Sequence, residues 1–296
     1  MKPVGMAPDT RTDGFTHRSL ALHHIATFRS QTIPVHESGN TTMAHLAEQH
    51  PWIVPACPAL TTELASTPSA VFACQRLRHQ VFMEELGARP SGADQGIDAD
   101  VYDAFCHHLL VRLIDTEEVV ATTRILMSDV APLAGGFYSK GEFELGALET
   151  LPGRVMEVGR TCVRHDHRNG AAIQALWTGL ARIMIERRVA YMMGCASIPF
   201  TPQDTSAYGL ISHLLANHRA PETFTVRPRR PIPPVVGNTV TRPAPPLLKA
   251  YLRLGAWICG EPCWDPDFGV ADVLVLLDVR RIPQRYLRHF AREPVS

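Results

Sequence analysis

The residue types best suited to chemistry gather in one stretch, Glu157-Val158-Gly159-Arg160-Thr161-Cys162-Val163-Arg164, and in the turn from His165 to Gly170 that follows. A carboxylate and a guanidinium stand three residues apart on an apolar, β-prone run. A carboxylate half-hidden on such a strand can take a proton from an attacking amine. The same two residues can form a structural ion pair, and pattern leaves both readings open. The turn carries Arg164, His165, His167 and Arg168 around Asn169-Gly170 and opens a helix, an arrangement whose backbone amides suit a phosphate. It holds one glycine and no Lys-Ser/Thr, so it is not a P-loop.

Other candidates are weaker. No G-x-S-x-G elbow is present. Cys195, in Gly194-Cys195-Ala196-Ser197, follows Met192 and Met193 and precedes Ile198, and reads as a core thiol rather than a nucleophile. Chemistry without a covalent intermediate is therefore expected. The loop from Ser91 to Phe105 holds Asp94, Asp98, Asp100 and Asp103 without the glycine and distal glutamate of a calcium loop. It reads as a solvated loop or as a reader of a cationic substrate. Arg76 and Arg78 sit on the preceding helix, either as a solvated face or within reach of a substrate carboxylate. Cys259 and Cys263 lack the second ligand pair that structural zinc needs. His107 and His108 are strand neighbours that point to opposite faces. No metal is expected.

The elements that must position these residues follow from periodicity. Apolar residues at 74, 77, 81, 82 and 86 mark a helix that Gly87 ends. Residues 107–113 and 119–126 form an antiparallel hairpin across the polar turn 115–118. The strand carrying Glu157 leads through the basic turn into a helix over 171–188, whose apolar side includes Ile173, Leu176, Trp177, Leu180, Ile183 and Met184. A second buried strand, 190–197, lies parallel to the first if that helix is a crossover. A helix over 204–217 follows, then a proline-rich, basic segment over 221–246 with Arg227, Arg229, Arg230 and Arg242. A helix opened by Pro246 and stopped by Gly255, a buried strand over 272–279 and a basic amphipathic helix over 283–292 complete the chain. This is one mixed sheet with helices on its faces.

The 296 residues carry 29 Lys and Arg against 29 Asp and Glu. That balance gives no electrostatic argument for nucleic acid, and none is expected as a partner. The scattered cysteines read as thiols in a reducing compartment. No apolar run is long enough to cross a bilayer and no signal-type segment stands at the N-terminus, so the expected location is cytoplasmic. Residues 1–67 show no sustained period and are expected to be a poorly structured extension ahead of a domain at 68–296.

Several segments together resemble the bacterial acyltransferases that place a fatty acyl chain on the α-amine of ornithine, an early step of ornithine-lipid synthesis. They are residues 76–88, Asp98-x-Asp100-x-x-Asp103 ahead of His108-Leu109, residues 121–126, 137–139, Glu142-Phe143, 157–163, Leu176-Trp177, 194–197 and 247–278. The front half also resembles acyl-homoserine-lactone synthases. Both imply the GCN5-related N-acyltransferase fold, an α+β arrangement with a mostly antiparallel mixed sheet flanked by helices. The resemblance implies a 3-hydroxyacyl chain carried as the 4′-phosphopantetheine thioester of an acyl carrier protein, no bound cofactor, and L-ornithine as acceptor. The product is then lyso-ornithine lipid.

Roles follow by the same resemblance. Glu157 is the base, directly or through water. Arg160 and Arg124 hold the substrate carboxylate or the local ion network. Asp98, Asp100 and Asp103 meet the δ-ammonium, or order the lid with Arg76 and Arg78. Ser197 joins the substrate side. The turn Arg168-Asn169-Gly170-Ala171-Ala172 holds the phosphopantetheine, although His167 stands where the fold's signature has Arg or Gln. A backbone amide at a strand bulge around Cys162, Val163 and Arg164 polarises the thioester carbonyl. The basic surfaces at 227–230 and 285–292 fit an acidic carrier protein. The tail helix also fits peripheral contact with the inner face of the cell membrane. Three alternatives stand beside this reading. They are an N-acyltransferase for another amino acid, a homoserine-lactone-type signal synthase, and a degenerate fold that only binds a carrier protein or membrane. The synthases lack a segment like 247–278, and retention of Glu157 and Arg160 argues against degeneracy.

Overall fold

The computed structural model describes residues 33–34, 59–89, 96–234 and 241–283. Among these residues eleven strands lie in chain order. They are β1 (Ile33–Pro34), β2 (Leu60–Leu64), β3 (His107–Leu113), β4 (Val119–Met127), β5 (Phe143–Glu144), β6 (Arg154–Val163), β7 (Val189–Pro199), β8 (Arg227–Pro228), β9 (Trp257–Ile258), β10 (Cys263–Asp265) and β11 (Val270–Asp278). The main sheet runs β1-β2-β3-β4-β6-β7-β11-β10, with β9 also on β11, while β5 and β8 pair apart from it. Every pairing in the main sheet is antiparallel except β6 with β7. Among the described residues four α-helices accompany it: α1 (Pro68–His79), α2 (Ala171–Glu186), α3 (Thr205–His218) and α4 (Pro246–Arg253). This is the mixed, mostly antiparallel α+β sheet expected from the sequence.

Helix α1 starts where Pro68 supplies a preset φ and the Thr67 hydroxyl accepts the Ala70 amide at 3.2 Å. It widens into a π-helical turn over Gln80–Glu85 before Gly87, at φ +76°, ends it. Helix α2 connects the two parallel strands and lies close on the sheet. A Cβ on its Gly179 would stand 2.7 Å from the Thr62 methyl group, so only glycine permits that approach. Its apolar face joins β3, β4, β6, β7 and β11 in one core, and a second core on the other sheet face takes Phe137, Phe143, Leu145 and Leu148. No helix among the described residues is long and apolar enough to cross a membrane.

Two expectations need correction. Residues 60–64 were assigned to a poorly structured extension, yet Leu60–Leu64 is a sheet strand paired along β3. Its sequence, Leu-Thr-Thr-Glu-Leu, is too short and polar to show a period, but Thr62 is buried and its hydroxyl donates to the Ala175 carbonyl at 3.3 Å. Residues 1–32 and 35–58 of the proposed extension lie outside the described residues, as does the tail helix beyond residue 283. The C-terminal part holds three strands, β9 to β11, where one was expected, because β9 and β10 are only two and three residues long.

Candidate active site

Strands β6 and β7 run parallel from Arg154↔Val189 to Glu157↔Met193, and their pairing stops there. Beyond that point β6 stays with β4 and β7 stays with β11, so the two strands diverge. The point of divergence requires a glycine. A Cβ on Gly194 would stand 2.1 Å from the Val158 carbonyl oxygen, inside any allowed contact. The wedge opens into a cavity of about 260 Å³ lined by Gly159, Arg160 and Thr161 on one wall and Cys195, Ala196 and Ser197 on the other. Helix α4 and the β10–β11 hairpin close it with Leu247, Leu248, Tyr251, Asp265, Phe268 and Asp272.

On the β6 wall the strand bulges. The register with β4 passes from Arg124↔Gly159 to Thr122↔Cys162, which leaves one extra residue on β6. Arg160 takes the strain at φ +51°, a left-handed conformation in which a non-glycine costs on the order of 1 kcal/mol or more. The bulge therefore lies at Arg160–Thr161 rather than around Cys162 to Arg164 as the resemblance implied. Cys162 is packed with Leu77 and Val81 instead.

Glu157 is 4% exposed. Its Oε2 accepts the Tyr138 amide at 2.6 Å, and its Oε1 accepts the Ser139 amide at 2.8 Å and the Ser139 hydroxyl at 2.5 Å. Burial pushes its pKa up, and these donors hold it back without cancelling the rise. Arg160 stands three residues further along the same strand. Its Nε stands 3.2 Å from Asp98 Oδ2, one terminal nitrogen 3.6 Å from Asp100 Oδ2, and the other donates to the Tyr138 hydroxyl at 3.1 Å. Its guanidinium also lies 5.0 Å and 5.1 Å from the Tyr138 and Phe268 ring centres.

The acidic loop is absorbed by arginines. Buried Arg78 meets Asp98 at 2.9 Å and holds both oxygens of Asp103 at 2.8 Å and 2.9 Å. Arg124 donates to Asp100 at 2.6 Å and stands 3.5 Å from Asp103. With Arg160 this is a charge-balanced cluster of three guanidiniums and three carboxylates. It leaves the loop carboxylates committed, which runs against their meeting a δ-ammonium and suits the alternative of ordering the segment with Arg78. Arg76 points to solvent and does not line the cavity.

Of the sequence-derived residues, Glu157, Arg160, Arg124 and Ser197 line the cavity, while Arg78, Asp98, Asp100 and Asp103 stand behind its wall. Cys162, Val163, Arg164, Arg168, Asn169, Gly170, Ala171 and Ala172 do not line it. Arg164 pairs with Glu118 and Asp166, and Arg168 clamps Glu85 and donates to the Val163 carbonyl at 2.9 Å. Gly170, at φ +99°, begins α2, and the Asn169 side chain accepts the Ala171 amide at 3.1 Å. Cys195 is an unsuitable nucleophile: burial first, then nearby Glu142 and Asp272, hold its thiol protonated.

The structure gives a place in the site to residues to which the sequence assigns no role. Tyr138 and Ser139 hold Glu157, and Glu142, Asp265 and Asp272 bring their carboxylates together in the same cavity. A signal for Asp272 existed, since a carboxylate at the head of an otherwise apolar strand is costly unless it is used.

The acetyltransferase (GNAT) domain family profile matches residues 77–178. The L-ornithine N(alpha)-acyltransferase of Rhizobium meliloti (strain 1021) is 35% identical over 254 residues, covering 79% of this chain and 85% of that protein. The protein of the same name from Brucella abortus (strain 2308) is 34% identical over 253 residues, covering 79% of this chain and 90% of its own. Among solved structures, TofI in a ternary complex with an inhibitor and MTA is similar at TM-score 0.46 and 15% identity, over 74% of this chain and 91% of that one.

Proposed function

This chain belongs to the L-ornithine N(alpha)-acyltransferase family, and from that premise we propose that it moves a 3-hydroxyacyl chain from acyl carrier protein to the α-amine of L-ornithine. The product is lyso-ornithine lipid, formed in the first step of ornithine-lipid synthesis. The observation that carries this reading is the wedge between β6 and β7, with Glu157 and Arg160 on its wall.

The chemistry runs as follows. Glu157 has about four lone-pair sites on its two oxygens, three of which accept protein donors, so one remains for a proton from the α-ammonium, directly or through a water. Its raised pKa makes it a better acceptor. The freed amine attacks the thioester carbonyl, the C–N bond forms, the C–S bond breaks, and phosphopantetheine leaves as a thiolate that takes up a proton. The backbone edges that β6 and β7 no longer offer each other suit the amides of the pantetheine arm. The turn at Arg168 to Ala172 suits its phosphate. Arg160 keeps one N–H on each terminal nitrogen for the acceptor's carboxylate. The exposed arginines Arg227, Arg229 and Arg230 suit the acidic face of a carrier protein. The basic tail suits the membrane where the product goes.

The test is to incubate the protein with 3-hydroxyacyl-carrier protein and a panel of amino acids, and to identify products by mass. Acyl-ornithine is expected. Acylation of a different amino acid, with ornithine refused, would overturn the acceptor and leave the reaction class standing.

A further inference from the structure

Across the cavity from Arg160 lies a second charged group that the transfer chemistry above does not use. The carboxylates of Glu142, Asp265 and Asp272 offer oxygens that lie within 4.8 Å of one another. Asp272 is 4% exposed, and one of its oxygens accepts the Ser197 hydroxyl at 2.7 Å. Asp265 spends one oxygen on the amides of Asp267 and Phe268, at 3.0 Å and 3.2 Å. Glu142 Oε2 is shut away from solvent with no hydrogen-bond partner. No cation among the described residues forms an ion pair with any of the three, whereas the neighbouring aspartates each have an arginine. All three line the cavity that holds Glu157.

A carboxylate oxygen shut away from solvent without a partner, beside two other carboxylates, is costly unless something positive completes it. Burial first, and then repulsion between the carboxylates, push the Glu142 and Asp272 pKa values up. We propose that Glu142, Asp265 and Asp272 form the subsite for the side-chain ammonium of a diamino acid acceptor, and so set the enzyme's choice of acceptor. The proposal rests on the acceptor reading given above.

The stereochemistry suits an ammonium. It carries three donors, and acceptors placed about 2.8 Å from a tetrahedral nitrogen stand roughly 4.6 Å apart. That separation fits within the observed span. A hard divalent ion asks for six or more oxygens at shorter range. Here Asp265 and Asp272 each have one oxygen already engaged, so the trio is poor in donors for such an ion. The position is also apt. Asp272 is the cross-strand partner of Ser197, on the β7 wall that faces Arg160. An amino acid held at its carboxylate by Arg160 would extend its side chain toward this wall.

The experiment uses the full chain, with ornithine and norvaline, its analogue without the side-chain ammonium, as probes. Binding is followed by calorimetry and acyl transfer by mass, in wild type, Glu142→Gln and Asp272→Asn. We expect wild type to prefer ornithine, and each variant to weaken ornithine by roughly tenfold or more while norvaline is little changed. Both variants remove a repelling charge, so their thermal midpoints should equal or exceed the wild-type value, which separates loss of the subsite from loss of the fold. Equal weakening of both ligands, or no ornithine preference in wild type by either readout, overturns the subsite. Tight binding of magnesium or calcium that depends on the same carboxylates, without ornithine preference, overturns it in favour of a metal site. Charge-dependent ornithine binding without any acyl-ornithine would instead remove the acceptor reading and leave the subsite in place.

Discussion

Glu157 meets backbone donors with both of its oxygens, which decides what its replacement will do. In Glu157→Gln the side-chain amide faces a backbone N–H whichever way it is turned, because Tyr138 donates to one oxygen and Ser139 to the other. That mismatch should cost about 1–3 kcal/mol of stability. Loss of the proton acceptor should also slow transfer by about 10²–10⁴-fold. Denaturant midpoints and single-turnover rates, the latter taken well below the variant's unfolding temperature, separate the two effects. A wild-type rate with reduced stability would reduce Glu157 to a holder of the 138–139 turn. Arg78 poses the opposite case, a residue that touches no cavity wall. Replacing Arg78 with Met strands Asp98 and Asp103 with one guanidinium fewer in a buried cluster, and should cost about 3–5 kcal/mol. A denaturant midpoint shift with unchanged slope is the readout.

At the scale of elements, the site exists because two parallel strands stop pairing. Gly194 sets that point, since its missing side chain is what lets the Val158 carbonyl lie against β7. Gly194→Ala should force the strands apart at the mouth of the wedge and cost about 1–3 kcal/mol, with a loss of transfer larger than the stability change explains. A crystal structure of the variant with Val158 unmoved would contradict this. The bulge at Arg160 turns one side chain toward the aspartates and exposes the strand edge beside it. The helix, hairpin and central strand were legible from periodicity because their apolar faces repeat over many residues. The bulge was misplaced because consecutive residues of β6 are buried ahead of it, so there is no in-out alternation for an extra residue to break. Strand β2 was missed because it is five residues long and its core-facing side, Leu60, Thr62 and Leu64, centres on a threonine.

Across the whole molecule, buried ionisable groups tie stability to pH. Burial lowers the His108 pKa from 6.5 to about 4, and the attraction of Asp103 fails to offset it. A group with a depressed pKa stabilises the fold fully above its unfolded value and loses that contribution as pH falls through the folded one. His108 should therefore cost stability as pH drops from 6.5 toward 4. Asp103 resists its own burial through Arg78 and Arg124 and is lowered from 3.8 to about 2, so its contribution is lost below 3.8. Glu142 and Asp272 act in the other direction, because raised carboxyls penalise the fold as pH rises. The His108 contribution is isolated by comparison with His108→Gln. The stability difference between the two proteins should shrink between pH 6.5 and 4, and a constant difference would refute it. The two charged clusters also divide the chain. The arginine–aspartate cluster comes from the first half of the domain, while Asp265 and Asp272 come from the C-terminal strands.

The sequence by itself determined the order of the long strands and helices, the family, and the placing of Glu157 and Arg160 on one strand, because these are properties of short-range spacing. It also marked the acidic loop, but could not say what the loop's charges would meet. Tertiary structure decided that, by placing Arg78, Arg124 and Arg160 against Asp98, Asp100 and Asp103. It likewise gathered Asp265 and Asp272 with Glu142, which precedes them by more than a hundred residues along the chain, into one cavity. Coulomb interactions act through space and not along the sequence, so a carboxylate's partner is known only once the sheet has brought its neighbours to it.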